Sequence, residues 1–127
     1  MNTNPTKILH QELAYQIVGL AMQVHTRLGN GFLEKVYENA LMVLLHKAGI
    51  DAVQRAPITV LFDGESIGTY YADILVENKI ILELKTVSEI SDSHKAQALN
   101  YLKATGLNLA MVFNFANPRL EYQRVVL

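Results

Sequence analysis

Asp73, Glu83 and Lys85 are the residues whose types and spacing best suit chemistry. They belong to the stretch Asp73-Ile74-Leu75-Val76-Glu77-Asn78-Lys79-Ile80-Ile81-Leu82-Glu83-Leu84-Lys85. In a strand, alternate residues share a face. Ile80, Leu82 and Leu84 then make one fully apolar face. Ile81, Glu83, Lys85 and Val87 make the other, which mixes two charges with two aliphatics. A loop of Glu77, Asn78 and Lys79 pairs Val76 with Ile80, Leu75 with Ile81, Ile74 with Leu82 and Asp73 with Glu83. Apolar residues meet apolar partners, and two carboxylates stand opposite each other. Like charges so opposed destabilise a sheet. A divalent cation between them removes the repulsion. A two-residue loop, Asn78-Lys79, would send Glu83 to the other face and destroy the arrangement.

The chemistry suits these residue types. Mg²⁺ takes hard oxygen ligands, commonly one or two carboxylates with water and phosphate oxygens. Such a cation activates water and offsets charge building on a phosphoryl group. Lys85, two residues beyond Glu83 on the same face, is placed to position water or stabilise that charge. On spacing alone the pattern is loose, and a salt-bridged solvent face is the competing reading.

The surrounding elements follow from periodicity. Leu9, Leu13, Ile17, Leu20, Ala21, Val24 and Leu28 recur at helical spacing, which predicts a helix over 9–28 ended by Gly29-Asn30-Gly31. A second helix over about 33–48 carries the stripe Leu33, Val36, Tyr37, Ala40, Leu41, Leu44 and Ala48, with Gly49 closing it. Residues 53–62 and 66–76 are rich in β-branched and aromatic side chains, and Asp63-Gly64 marks a hairpin turn between them. A strand over 79–87 follows. Ser91, Asp92 and Ser93 open a helix that runs to about Thr105 and stops at Gly106. Residues 109–115 make a further strand and 121–126 a short last one. The order is α-α-β-β-β-α-β, with a final β.

The 127 residues suit one compact domain, 1–127, with the polar segment 1–7 flexible. Half the residues are hydrophobic and the net charge is −1, so no general basic surface advertises phosphate binding. The absence of cysteine excludes disulfides and thiolate metal sites and fits a reducing compartment. No signal-peptide pattern or membrane-length apolar run occurs. These features read as a soluble cytoplasmic protein.

Several motifs together resemble a known family. Gly31-Phe32-Leu33-Glu34-Lys35-Val36-Tyr37 looks like the signature of the GxxExxY proteins, a branch of the PD-(D/E)xK nuclease superfamily. The match continues through Glu38-Asn39-Ala40-Leu41, Tyr71-Ala72-Asp73, Glu83-Leu84-Lys85, Gln97-Ala98-Leu99-Asn100-Tyr101-Leu102 and Asn114-Phe115. It spans nearly the whole chain in order. Ala72 departs from the superfamily pattern, which has proline there. The resemblance implies an α/β (α+β sandwich) fold with a restriction-endonuclease-like core, a central mixed β-sheet flanked by helices. It implies Mg²⁺ or Mn²⁺ held by Asp73 and Glu83, with Lys85 catalytic. It adds Glu34, as a metal ligand through water, and Gln97. The implied activity is hydrolysis of nucleic acid, DNA above all.

Other residues weigh less. Tyr37 reads as a packing residue whose hydroxyl finds a polar partner, or as part of a substrate cleft with Tyr101 and Lys95. Gln97 and Tyr101 share a helical face, and His94 reads as ordinary helix surface. His10, His25 and His46 lack zinc spacing. Lys35, Arg55, Lys95, Lys103, Arg119 and Arg124 are candidate phosphate contacts. A catalytically inactive nucleic-acid- or protein-binding module on the same fold is the competing function. Metal-dependent hydrolysis of a small phosphorylated molecule is a third. The small size suggests a homodimer, formed through edge strands such as 53–62 or the C-terminal segment.

Overall fold

The computed structural model describes residues 9–127, so the flexibility expected of 1–7 lies outside the described residues. The elements are α1 (Gln11–Leu28), α2 (Glu34–Lys47), β1 (Ala52–Phe62), β2 (Glu65–Val76), β3 (Ile80–Lys85), α3 (Asp92–Thr105), β4 (Leu109–Asn114) and β5 (Glu121–Val126). Their order is the one the sequence predicts, with the last strand present. The five strands form one mixed sheet in the order β1-β2-β3-β4-β5. Only β3 and β4 run parallel, because α3 crosses between them. Helices cover both faces, as in the restriction-endonuclease-like core. No helix among the described residues is long and apolar enough to cross a membrane.

Two buried clusters form the core, one on each face of the sheet. Ile17, Ala21 and Val24 of α1 and Tyr37, Leu41 and Leu45 of α2 pack on Ile80, Leu82, Leu84, Met111 and Phe113. Ala98, Tyr101 and Leu102 of α3 pack on Ile81, Ala110 and Val112. β3 and β4 therefore alternate strictly between the clusters, and both faces are dry.

The phase of α2 differs from the predicted stripe. Leu33 is 79 % exposed and Val36 is also exposed, whereas Glu38 and Met42 are buried. The inward face is centred on Tyr37, Leu41 and Leu45, about one position around the wheel. The helix tolerates a buried carboxylate there because Glu38 Oε2 accepts hydrogen bonds from Lys35 Nζ at 3.1 Å and Gln54 Nε2 at 2.6 Å.

The hairpin β1–β2 changes face part-way along. Ala52, Ile74 and Val76 pack with α1 and α2, whereas Ala56, Ile58 and Ala72 pack with α3. Residues of one parity would share a face in a regular strand. The switch falls where Arg55 adopts φ 55°, between the paired positions Gln54↔Ile74 and Ala56↔Ala72. A left-handed non-glycine residue reorients the chain. The outer half of the hairpin thus wraps toward α3, and Asp73 sits at the switch.

Asn114 at the end of β4 is fully buried and uses all its hydrogen-bonding capacity. Its Nδ2 donates to Val87 O at 2.8 Å and Glu121 Oε1 at 2.9 Å, and its Oδ1 accepts from Val87 N at 3.0 Å and Ala116 N at 3.2 Å. This side chain anchors the segment leaving β3 just after Lys85. Asn114→Leu leaves those backbone groups unsatisfied, and the expected loss in chemical denaturation is about 2–4 kcal/mol.

Candidate active site

The β2–β3 turn has the register that the charge pattern requires. Val76, Leu75 and Ile74 pair with Ile80, Ile81 and Leu82. Glu77 and Asn78 both take positive φ, and Lys79 N donates to Val76 O at 2.9 Å. The loop is therefore Glu77, Asn78 and Lys79. One step beyond the last regular pair, side chains replace main-chain partners. Asp73 N donates to Glu83 Oε2 at 3.0 Å, and Leu84 N donates to Asp73 Oδ2 at 2.8 Å. Each carboxylate closes on the other strand's backbone, and this crossed pair fixes both side chains at the twist of the hairpin.

One oxygen of each carboxylate stays uncommitted. No hydrogen bond among the described residues reaches Asp73 Oδ1 or Glu83 Oε1, and no side-chain polar atom there is both fully buried and unpartnered. These oxygens are open to solvent from a site that is otherwise dry, with Glu83 only 5 % exposed. Burial, reinforced by the Asp73 charge, pushes the Glu83 carboxyl up to about 8; the Asp73 N–H and Lys85 pull the other way. Burial also raises Asp73, opposed first by the Leu84 N–H, with Glu38 and Glu34 adding to the rise. The pair is an acidic site short of positive charge. Two hard carboxylate oxygens fit the needs of Mg²⁺ or Mn²⁺, which keep water or phosphate oxygens elsewhere. No group of three or more histidine or acidic side chains placed to hold a metal occurs among the described residues.

The neighbours arrange themselves around this pair. Lys85 Nζ lies 3.4 Å from Gln97 Oε1 on α3, which joins the two expected residues. Glu34, at the first turn of α2, accepts through Oε2 from Thr86 N at 3.1 Å and Thr86 Oγ1 at 3.4 Å. It thus tethers the segment just past Lys85, and its charge reaches Asp73. On α3, the charges of Glu83 and Asp73 add to burial in raising the Tyr101 phenol.

A model of the PD-(D/E)XK nuclease superfamily matches residues 11–125. The chain belongs to that superfamily. Five solved chains match it in structure. One, SSO0001, shares 17 % identity at a TM-score of 0.57, over 91 % of this chain and 61 % of its own. The likeness is one of fold, and this chain spans about three fifths of that protein's length. A search of curated proteins found no match.

Within this superfamily fold, some expected residues fall elsewhere. Tyr37 does not line a cleft, because it is fully buried and stacks on Phe115 at 4.6 Å. Its hydroxyl donates to Gly29 O at 2.7 Å and accepts from Phe32 N at 3.2 Å, so it clamps the loop that launches Glu34. Lys95 pairs with Asp92 at 3.4 Å, three residues earlier on the same helix. Lys35 is engaged by Glu38, and Arg124 Nη2 donates to Leu9 O at 3.0 Å. His94 closes a capping box with Ser91, its Nδ1 accepting from Ser91 N at 3.0 Å. Glu38 is the residue that sequence reasoning passed over. It is 4 % exposed, and its charge raises both Asp73 and Glu83. Its spacing of four from Glu34, on one helical face, was the available signal.

Proposed function

We propose that this chain is a Mg²⁺- or Mn²⁺-dependent nuclease of the GxxExxY branch, hydrolysing phosphodiester bonds in DNA. The observation that carries the reading is the crossed pair, Asp73 and Glu83, with one uncommitted oxygen on each carboxylate and Lys85 on the same strand. A divalent cation bound there would supply Lewis acidity and neutralise charge on the phosphate. Asp73 and Glu83 would hold it. Glu34 fixes the chain beyond Lys85 and would join the cation through water. Lys85 Nζ, positioned by Gln97, donates hydrogen bonds to the phosphoryl oxygens as their negative charge grows. Water attacks phosphorus and gives up a proton to solvent, the bond to the sugar oxygen breaks, and that oxygen leaves with a proton from solvent. The same reading makes the chain one nuclease domain, working in the cytoplasm. It includes a homodimer, for which β1 and β5 are the edge strands of the described sheet.

The test is cleavage of single- and double-stranded DNA in Mg²⁺ or Mn²⁺. Wild type is expected to cut, chelation to stop it, and Asp73→Ala to lower the rate by at least ~100-fold, as loss of a preorganised electrostatic group does. Equal cleavage by wild type and Asp73→Ala would identify a contaminant and overturn the reading.

A further inference from the structure

Tyr101, which feels the charges of Glu83 and Asp73, is part of an aromatic surface that the proposed chemistry does not use. Tyr101 reaches from their charge field outward to Tyr70, with ring centroids 5.7 Å apart. Tyr101 is buried, whereas Tyr70 is 52 % exposed. Tyr70 then opens onto a groove of about 480 Å³ between the hairpin and α3, lined also by Thr59, Leu61, Asn100 and Lys103. That volume is in the range of ordinary ligand clefts, roughly 300–1,000 Å³. Lys103 is exposed and forms no ion pair among the described residues. The next residue, Tyr71, is also exposed and carries the Arg55 guanidinium 4.3 Å from its ring centre.

We propose that Tyr70 and Tyr101, with Lys103 beyond them, form a stacking platform that selects single-stranded DNA and leads it to the carboxylate pair. This rests on the nuclease reading for the role of Asp73 and Glu83. An unpaired strand fits this surface better than a duplex. A duplex hides its base faces and must be gripped through many phosphates by Lys and Arg. Here 11 basic residues face 12 acidic ones, and Lys35, Lys95 and Arg124 are already engaged. An unpaired strand offers π-faces, and bases stack on aromatic side chains without regard to sequence. The exposed Tyr70 ring adjoins Tyr101, and Lys103 lines the same groove.

The twist at Arg55 makes this surface. It turns Ala56, Ile58 and Ala72 onto α3 and brings Tyr70, two residues from Ala72, against Tyr101. In a flat hairpin the same tyrosine would stand apart from the site.

The test is fluorescence anisotropy with a labelled oligothymidylate and a duplex of equal length, in Ca²⁺ to hold back cleavage, alongside the Mg²⁺ cleavage assay. The single strand is expected to bind wild type at least ten-fold more tightly than the duplex. Tyr70→Ala and Tyr70→Leu are expected to weaken single-strand binding about ten-fold, and Tyr70→Phe to retain it, because stacking needs the ring and not the hydroxyl. Lys103→Ala is expected to lower the salt dependence by about one phosphate contact. Tyr70→Leu keeps apolar cover on Tyr101, so it reads out the ring itself. Wild-type binding by both Tyr70→Ala and Tyr70→Leu would overturn the platform, as would equal affinity for duplex. Should wild type still cleave in that case, the nuclease reading stands while the platform falls. A binding loss on Tyr70 substitution in a protein that never cleaves supports the platform and removes the nuclease reading.

Discussion

Glu83→Gln is expected to make the metal-free protein more stable at pH 8 while removing its activity. Glu83 is buried, and burial and Asp73 raise its carboxyl from 4.5 to about 8 in the folded chain. Between those values the folded state holds a proton that the unfolded state has released. Stability is therefore full below pH 4.5, falls as pH rises to 8, and is level above that. Asp73, raised for the same reason, adds in the same direction from 3.8 upward. At ~1.36 kcal/mol per unit the Glu83 contribution alone is of order 5 kcal/mol. Gln keeps an oxygen for the Asp73 N–H and removes the charge. Thermal melts in chelator should show Tm higher by about 10 °C for the variant at pH 8, and no gain near pH 4. Saturating Mg²⁺ should raise the wild-type Tm and leave the variant unmoved. A variant less stable than wild type at pH 8 would contradict the electrostatic description of the pair.

Lys85→Ala is expected to cost at least ~100-fold in cleavage rate without weakening Mn²⁺ binding. Lys85 bonds to no carboxylate; its recorded partner is Gln97 Oε1 at 3.4 Å. On the proposed reading its part is to meet charge that appears only as the bond breaks, so its loss is expected to fall on the rate and not on cation affinity. Lys85→Arg is also expected to fail, because a planar fork replaces a compact ammonium in the space beside Gln97. Single-turnover cleavage measured beside Mn²⁺ calorimetry separates the two effects. Lost Mn²⁺ affinity in Lys85→Ala with an unchanged saturated rate would reverse the roles assigned here.

The carboxylate pair was legible in the sequence because apolar matching admits one register. Ile74, Leu75 and Val76 find apolar partners only with a three-residue loop, and the observed pairing is that one. Helix order and strand order were legible from caps, glycines and the Asp63-Gly64 turn. The phase of α2 was not. Leu33 and Val36 carry the apolar weight of its first turn, yet they point outward, and a hydrogen-bonded Glu38 takes the inward place. Periodicity ranks side chains by polarity and has no record of Gln54, whose amide makes that burial affordable. The twist at Arg55 was equally hidden, since a non-glycine residue with positive φ leaves no mark in composition. Tyr70 escaped with it, because the neighbour that gives it meaning, Tyr101, is brought close only by that twist. Tyr37, which spacing alone could place in core or cleft, is settled by its stacking on Phe115 and by the two backbone groups that hold its hydroxyl.

The measurement that bears most directly on the central claim is anomalous diffraction from crystals soaked in Mn²⁺. The expected result is a Mn²⁺ peak bridging Asp73 Oδ1 and Glu83 Oε1, absent from crystals of Asp73→Ala. A fully soaked crystal with no peak between the two carboxylates, or one whose peak survives Asp73→Ala, would contradict the account.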